Sequence, residues 1–202
     1  SGTESDNWAL KGVAFANLNK GKNHIITTKI EHHAILHTCE YLEKFGIETT
    51  YLDVDRYGLI DIEQLKESIR PETMLISVMF ANNEIGTIQP IEEIGKIAKD
   101  HGILFHVDAV QALGGIRIDV NKLHIDLMSM SAHKIGGPKG IGGMYIRKGT
   151  RIDNFIHGGG QERGRRAGTE GVQNIVGFGK AVEIAARDFD KHVERLTVLR
   201  NR

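Results

Sequence analysis

Two runs, Met74-Leu75-Ile76-Ser77-Val78-Met79 and Ile103-Leu104-Phe105-His106-Val107, are apolar at consecutive positions rather than alternate ones. Successive side chains of a strand point to opposite faces, so strands of this kind need cover on both sides. Further short strands read at His24–Thr28, Glu48–Leu52 and 143–147, and Ile125–Met128 reads as the end of another. Helical spacing fills the intervals. Thr3–Ser5 offer caps for a helix closing at Gly21, and 34–44 carries Ile35, Leu36, Cys39 and Leu42 on one face. Asp61 caps a helix through Leu65, with Gln64 as a capping-box partner. Pro90 opens the helix 91–101 before Gly102, and 172–189 reads as one long helix. Strand and helix alternate through short loops, with no repeat and no internal boundary. The expected fold class is α/β, a mostly parallel sheet covered by helices on both faces.

In such sheets ligands sit beyond the carboxyl ends of the strands, and the chemistry-bearing residues fall there. After Ile125–Met128 comes Ser129-Met130-Ser131-Ala132-His133-Lys134-Ile135-Gly136-Gly137-Pro138-Lys139-Gly140. Two hydroxyls, an imidazole and an amine arrive together, and the glycine-proline turn stops any helix. An amine among anion-holding groups suits covalent chemistry with a carbonyl; the plain alternative is a solvated lysine in an ordinary loop. Asp108 ends the 103–107 run, where an unpaired acid is costly. It reads either as the cap of residues 109–111 or as a carboxylate facing a protonated heterocyclic nitrogen, with Gln111 as hydrogen-bond partner. Asn83 ends the other doubly apolar strand. Gly2-Thr3 at a helix start offers exposed amides, a positive dipole end and a hydroxyl for a phosphate, or a plain cap. His32 follows a strand and is placed to stack on a planar ring. His33 and His37 have a zinc-like spacing, but no carboxylate or cysteine set completes it. Cys39 lies among Leu36, Leu42 and Phe45 and reads as a buried structural thiol.

Composition narrows the classes. Twenty-six basic residues balance twenty-six acidic ones, so no net field recruits nucleic acid or an anionic membrane. The run Arg163-Gly164-Arg165-Arg166, inside the glycine-rich 157–169 loop, therefore reads as a mobile anion-contacting loop rather than a nucleic-acid patch. No apolar run approaches the roughly 20 residues that span a bilayer. A single cysteine excludes an internal disulfide framework and points to a reducing, cytoplasmic setting.

Taken together, Ser1-Gly2-Thr3-Glu4-Ser5-Asp6-Asn7, Glu31-His32-His33-Ala34, Asn82-Asn83-Glu84-Ile85-Gly86, His106-Val107-Asp108-Ala109-Val110-Gln111, the Ser131–Gly140 stretch and the 157–169 loop resemble the cysteine desulfurases. These are relatives of the class V aminotransferases with the fold-type I pyridoxal 5'-phosphate (PLP) architecture. The resemblance implies that Lys134 binds the cofactor covalently and that His32 stacks on its ring and relays protons. It implies that Asp108 pairs with the ring nitrogen, and that Asn83 and Gln111 contact the ring oxygen. Gly2, Thr3, Ser131 and His133 would hold the phosphate. Thr169 would reach the phosphate of a neighbouring subunit in a homodimer. The implied reaction takes L-cysteine to L-alanine and passes sulfur to an iron–sulfur scaffold or another acceptor protein. Residues 1–202 would form the cofactor-binding large domain, with an amino-terminal segment and a carboxyl-terminal small domain outside the chain. The family's sulfur-accepting cysteine and substrate-carboxylate arginine would lie there too, since Cys39 does not match the former. A selenocysteine lyase, another class V aminotransferase, and a non-catalytic module of this fold are the alternatives.

Overall fold

Six strands, β1 (His24–Thr28), β2 (Glu48–Leu52), β3 (Thr73–Met79), β4 (Leu104–Asp108), β5 (Leu127–Ser131) and β6 (Gly142–Ile146), form one sheet in the computed structural model, which describes residues 1–202. Their order is β2-β1-β3-β4-β5-β6. The first five run parallel, and β6 pairs antiparallel with β5. The connection from β1 leads outward to β2, whereas β3 lies on the other side of β1. Strand order thus reverses between β1 and β3, and a crevice opens at their carboxyl ends.

The consecutive apolar residues separate into two cores as the pleat demands. Ile25, Leu75 and Leu127 pack with Leu10, Val13, Ile35 and Leu42 of α1 (Gly2–Asn17) and α2 (His33–Glu43). Their neighbours Ile26, Ile76 and Met128 pack with Leu65, Ile94 and Ala98 of α3 (Ile62–Glu67) and α4 (Ile91–Asp100). Fully buried side chains such as Phe105, Leu75 and Ile76 each contribute about 1.5–3 kcal/mol. Three further helices follow: α5 (Gln161–Gly164), α6 (Val172–Arg187) and α7 (Phe189–Arg200).

Several expectations need correction. The cap of α1 is Ser1, whose hydroxyl accepts the Glu4 amide at 3.3 Å; Thr3 lies inside the first turn. Asp61 caps α3, but Gln64 accepts the Asp53 amide at 3.1 Å and does not close a capping box. β5 continues past Met128 to Ser131, because Ser129 finds a partner in His106 and can be buried. One 3-10 turn, Ala132–Ile135, does form before Gly136, whose left-handed φ of 78° ends it. The long helix expected over 172–189 breaks at Asp188, which closes α6 and pairs with Arg187 at 2.6 Å. An aspartate competes for backbone hydrogen bonds and so favours helix ends over interiors.

Candidate active site

Four strand ends and one helix start converge on a cavity of about 220 Å³. Nine of the ten residues singled out in the sequence line it: Gly2, Thr3, His32, Asn83, Asp108, Gln111, Ser131, His133 and Lys134. Thr169 does not; it is exposed in the loop between α5 and α6. A larger apolar groove of about 600 Å³, between residues 113–123 and α6–α7, gathers none of the ten.

Local geometry explains each placement. Gly2 starts α1 hard against the sheet: a Cβ there would lie 2.8 Å from Val110 Cγ2 and 3.4 Å from Ser131 Cβ. Only glycine lets the first-turn amides of α1 reach the cavity beside Thr3. Ser131 is buried and shares a 2.8 Å hydrogen bond with His133 Nδ1, which orients that ring at the start of the 3-10 turn carrying Lys134. His32 caps α2, and its Nδ1 accepts the Ala34 amide at 3.1 Å. In the neutral ring the proton then sits on Nε2, the nitrogen left to exchange it. Asn83 is held by its neighbour. Buried Asn82 donates to the Ile30 carbonyl at 2.9 Å and accepts the amides of Glu84 and Ile85.

Both readings of Asp108 hold at once. Its Oδ1 accepts the Val110 amide at 2.9 Å, so it caps the turn that follows, and this fixes the carboxyl group at the cavity wall with Oδ2 left for a ligand. Burial raises its pKa above the usual carboxylate range, while the Val110 amide and the charges of His32 and Lys134 pull it back. Burial is thus the leading influence on Asp108, and the nearby groups only partly offset it.

Two carboxyl groups escaped the sequence reading. Asp6 lines the cavity and Glu31 lies buried beside it, and each has one oxygen, Oδ1 and Oε2 respectively, without a hydrogen-bond partner. Glu31 Oε1 accepts from Thr28 Oγ1 at 2.8 Å and from the Met79 amide at 2.9 Å, tying β1 to β3 at the crevice. Burial pushes its pKa up to about 8. Asp6 looks like a solvated acid near the start of α1, but its place four residues from Gly2 and from Leu10 puts it on the buried face of the helix. That spacing was the available signal.

His33 and His37 stack, with ring centroids 5.0 Å apart, and no group of three or more His, Cys, Asp or Glu side chains comes together to hold a metal. Cys39 is buried in the α1–α2 core, as its apolar neighbours implied, and burial pushes its thiol up to about 12 from 9.0. A shift of about three units makes the thiolate about a thousandfold scarcer. Iodoacetamide should leave the native chain unlabelled over a period in which the denatured chain reacts fully; equal labelling of both would show the thiol to be accessible.

The arginine-rich loop is stitched to the same helix start. Arg166 makes two hydrogen bonds to Glu4, at 2.8 and 3.2 Å, and the pair lowers the Glu4 pKa. In α5, Glu162 and Arg163 adopt left-handed φ of 49° and 61°. No helix of the chain is long and apolar enough to cross a membrane.

A parallel sheet with a lysine loop, an acid and a helix amino terminus around one crevice defines a class, and the chain belongs to it: residues 1–200 match the aminotransferase class-V family. The cysteine desulfurase IscS of Methanosarcina thermophila is 62% identical over 201 residues, and that of Clostridium botulinum (strain Kyoto) is 60% identical. Both alignments take in this whole chain and 50% of the relative, so the chain spans about half the length of the curated relatives it matches. A solved NifS-like protein superposes with a TM-score of 0.95 at 48% identity, covering 99% of this chain and 55% of that one. The fold is that of the type I PLP-dependent transferases.

Proposed function

We propose that the chain is the cofactor-binding large domain of a PLP-dependent cysteine desulfurase. Such a protein converts L-cysteine to L-alanine and passes sulfur to an iron–sulfur scaffold or another acceptor protein. The observation that carries this reading is the cavity, where nine residues from five separate segments meet around a buried acid. The names of the relatives, cysteine desulfurase IscS, support the substrate.

The residues fit the cofactor. The α1 amino terminus, Thr3, Ser131 and His133 form a neutral-to-cationic end for a phosphate. Asp108, buried and with Oδ2 unengaged, suits a protonated ring nitrogen, and Asn83 and Gln111 can donate to a ring oxygen. PLP, when bound, supplies an electron-poor ring that accepts the electron pair left on the substrate carbon. The chain's own part is to place groups around it. Asp108 holds the proton on the ring nitrogen by a charge-assisted hydrogen bond. Lys134 Nζ would anchor the cofactor, and its amine is the group placed to serve as a base. His32 would cover the ring, with Nε2 free to exchange a proton. Cys39, buried and high in pKa, is no sulfur acceptor, so that thiol comes from elsewhere in the protein. Thr169, exposed and outside its own cavity, suits contact with a second subunit's phosphate in a homodimer. A cytoplasmic setting suits the free thiol.

Asp108→Asn tests the cofactor reading, because the amide preserves the cap on Val110 and removes the charge. PLP affinity, measured by absorbance titration, should fall about 10- to 150-fold, the equivalent of about 1.5–3 kcal/mol. Unchanged affinity would reduce Asp108 to a turn cap.

A further inference from the structure

The cavity contains a carboxyl group that this chemistry leaves unused. Asp6 is 2% exposed, lines the cavity from α1, and its Oδ1 has no hydrogen-bond partner. A buried carboxylate oxygen without a donor is costly, so the group is either neutral or awaits a cation. Its neighbours supply little positive charge. From β4, His106 Nε2 stands 3.8 Å from Oδ1, and Asp108 adds negative charge. From β5, the Ser129 hydroxyl favours the charged form; from the segment after β1, Glu31 opposes it; the Ser1 amine is the weakest contributor. His32, His133 and Lys134 line the same cavity. His106 cannot serve as the cation. It lies fully buried between Ser77 and Ser129 hydroxyls at 2.9 Å each, and burial drives its pKa down to about 3.

We propose that Asp6 is a positioning residue: it stores a proton beside Asp108 in the ligand-free site and yields it to solvent when a cationic ring nitrogen docks on Asp108. The proposal rests on the cavity being a PLP site. Two carboxyl groups that share one buried site oppose each other's ionisation, and Asp6 has no hydrogen-bond donor at Oδ1 to offset this. Burial first, and the charge of Asp108 second, hold Asp6 well above its ordinary pKa. A cation seated on Asp108 removes the second of these causes, so the Asp6 pKa falls, and its proton is released where the pH lies between the free and loaded values. Binding is then linked to pH. Affinity tightens as pH rises through the interval between the free and loaded pKa values of Asp6, at most about tenfold per unit for one proton.

The test titrates PLP into the 202-residue chain between about pH 5.5 and 9, comparing wild type with Asp6→Asn, which is similar in shape and neutral throughout. Wild-type affinity should gain on the variant by up to about tenfold per pH unit over one stretch. Parallel profiles overturn the proposal, as does an Asp6→Ser variant that follows wild type instead of Asp6→Asn. A ligand-free arm separates the two ideas. Because the folded pKa of Asp6 is raised, its favourable contribution is full below the unfolded value of 3.8 and is lost as pH climbs through the folded value. The wild-type melting temperature should therefore drop relative to Asp6→Asn as pH rises. Diverging melting profiles without PLP binding in either protein would sink the cofactor reading and the docking step with it, while leaving the stored proton standing. Parallel melting profiles with normal PLP binding would overturn the stored proton alone.

Discussion

Lys134→Ala should abolish covalent attachment of PLP while leaving the fold unchanged. The side chain is exposed on a single 3-10 turn, so its loss removes no core contact. It is the only lysine lining the cavity. Lys139, the next along the chain, lies beyond the left-handed Gly136 and Pro138, exposed and outside the cavity lining. Borohydride treatment of the loaded wild-type chain, followed by peptide mass spectrometry, should place the adduct on Lys134, with none in the variant. An adduct on Lys139, or one that persists at full yield in Lys134→Ala, would refute the assignment. The variant should still bind PLP reversibly through the phosphate and ring contacts, so affinity and covalency separate in one experiment.

The second large effect is expected at a glycine that does not itself line the cavity. A Cβ built on Gly142 lies 2.6 Å from the Met130 carbonyl, 2.6 Å from Ser1 C and 2.9 Å from Gly2 N. All three are backbone atoms, so no flexible side chain can give way. Gly142→Ala must push β6 off β5 or drive the start of α1 away from the sheet, displacing the amides of the first turn, Thr3 and Ser131 together. Overpacking of this kind costs about 1–3 kcal/mol in stability. PLP affinity should fall about a hundredfold or more, since ångström-scale misplacement of several binding groups is costly. Gly143→Ala is the control. Its nearest neighbours are the side-chain ends Met130 Cε and Phe178 Cε1, both at 3.3 Å, which can yield. Chemical denaturation and PLP titration of both variants should separate them; similar losses would refute the close-approach argument.

The sheet was legible because burial on both faces leaves consecutive apolar residues, and Ile25-Ile26 and Leu75-Ile76 divide between the two cores as the pleat requires. The end of β5 was not. Ser129 is buried because His106 on β4 meets it, and that pairing is a property of two strands rather than of either one. Lys134, Asp108 and Asn83 could be read as strand-end residues, since parallel sheets present their chemistry there. Gly2 and His133 were in view from the residues alone, but only the resemblance chose a phosphate role for them, because a glycine before a helix and a histidine in a loop have many ordinary explanations. Asp6 and Glu31 were passed over for the opposite reason, as acids are usually solvated and their burial appears only when α1 is seated on the sheet. At the break the local mark is Asp188 itself, outweighed in the sequence by an apolar pattern that runs on through Phe189.

The antiparallel return of β6 gives the lysine loop a property that the other cavity segments lack. Residues 132–141 leave β5 and come straight back into the sheet, with Ser131 opposite Gly142 and the Ala132 amide bonded to the Ile141 carbonyl at 3.2 Å. The segments after β1, β3 and β4 instead run away into helices or turns. A loop stapled at both ends to neighbouring strands has its closure entropy taken up in folding. It cannot swing open without unzipping the edge of the sheet, so any opening of the loop belongs to the slow, cooperative class rather than to loop fraying, while the exposed Lys134 side chain can move without it.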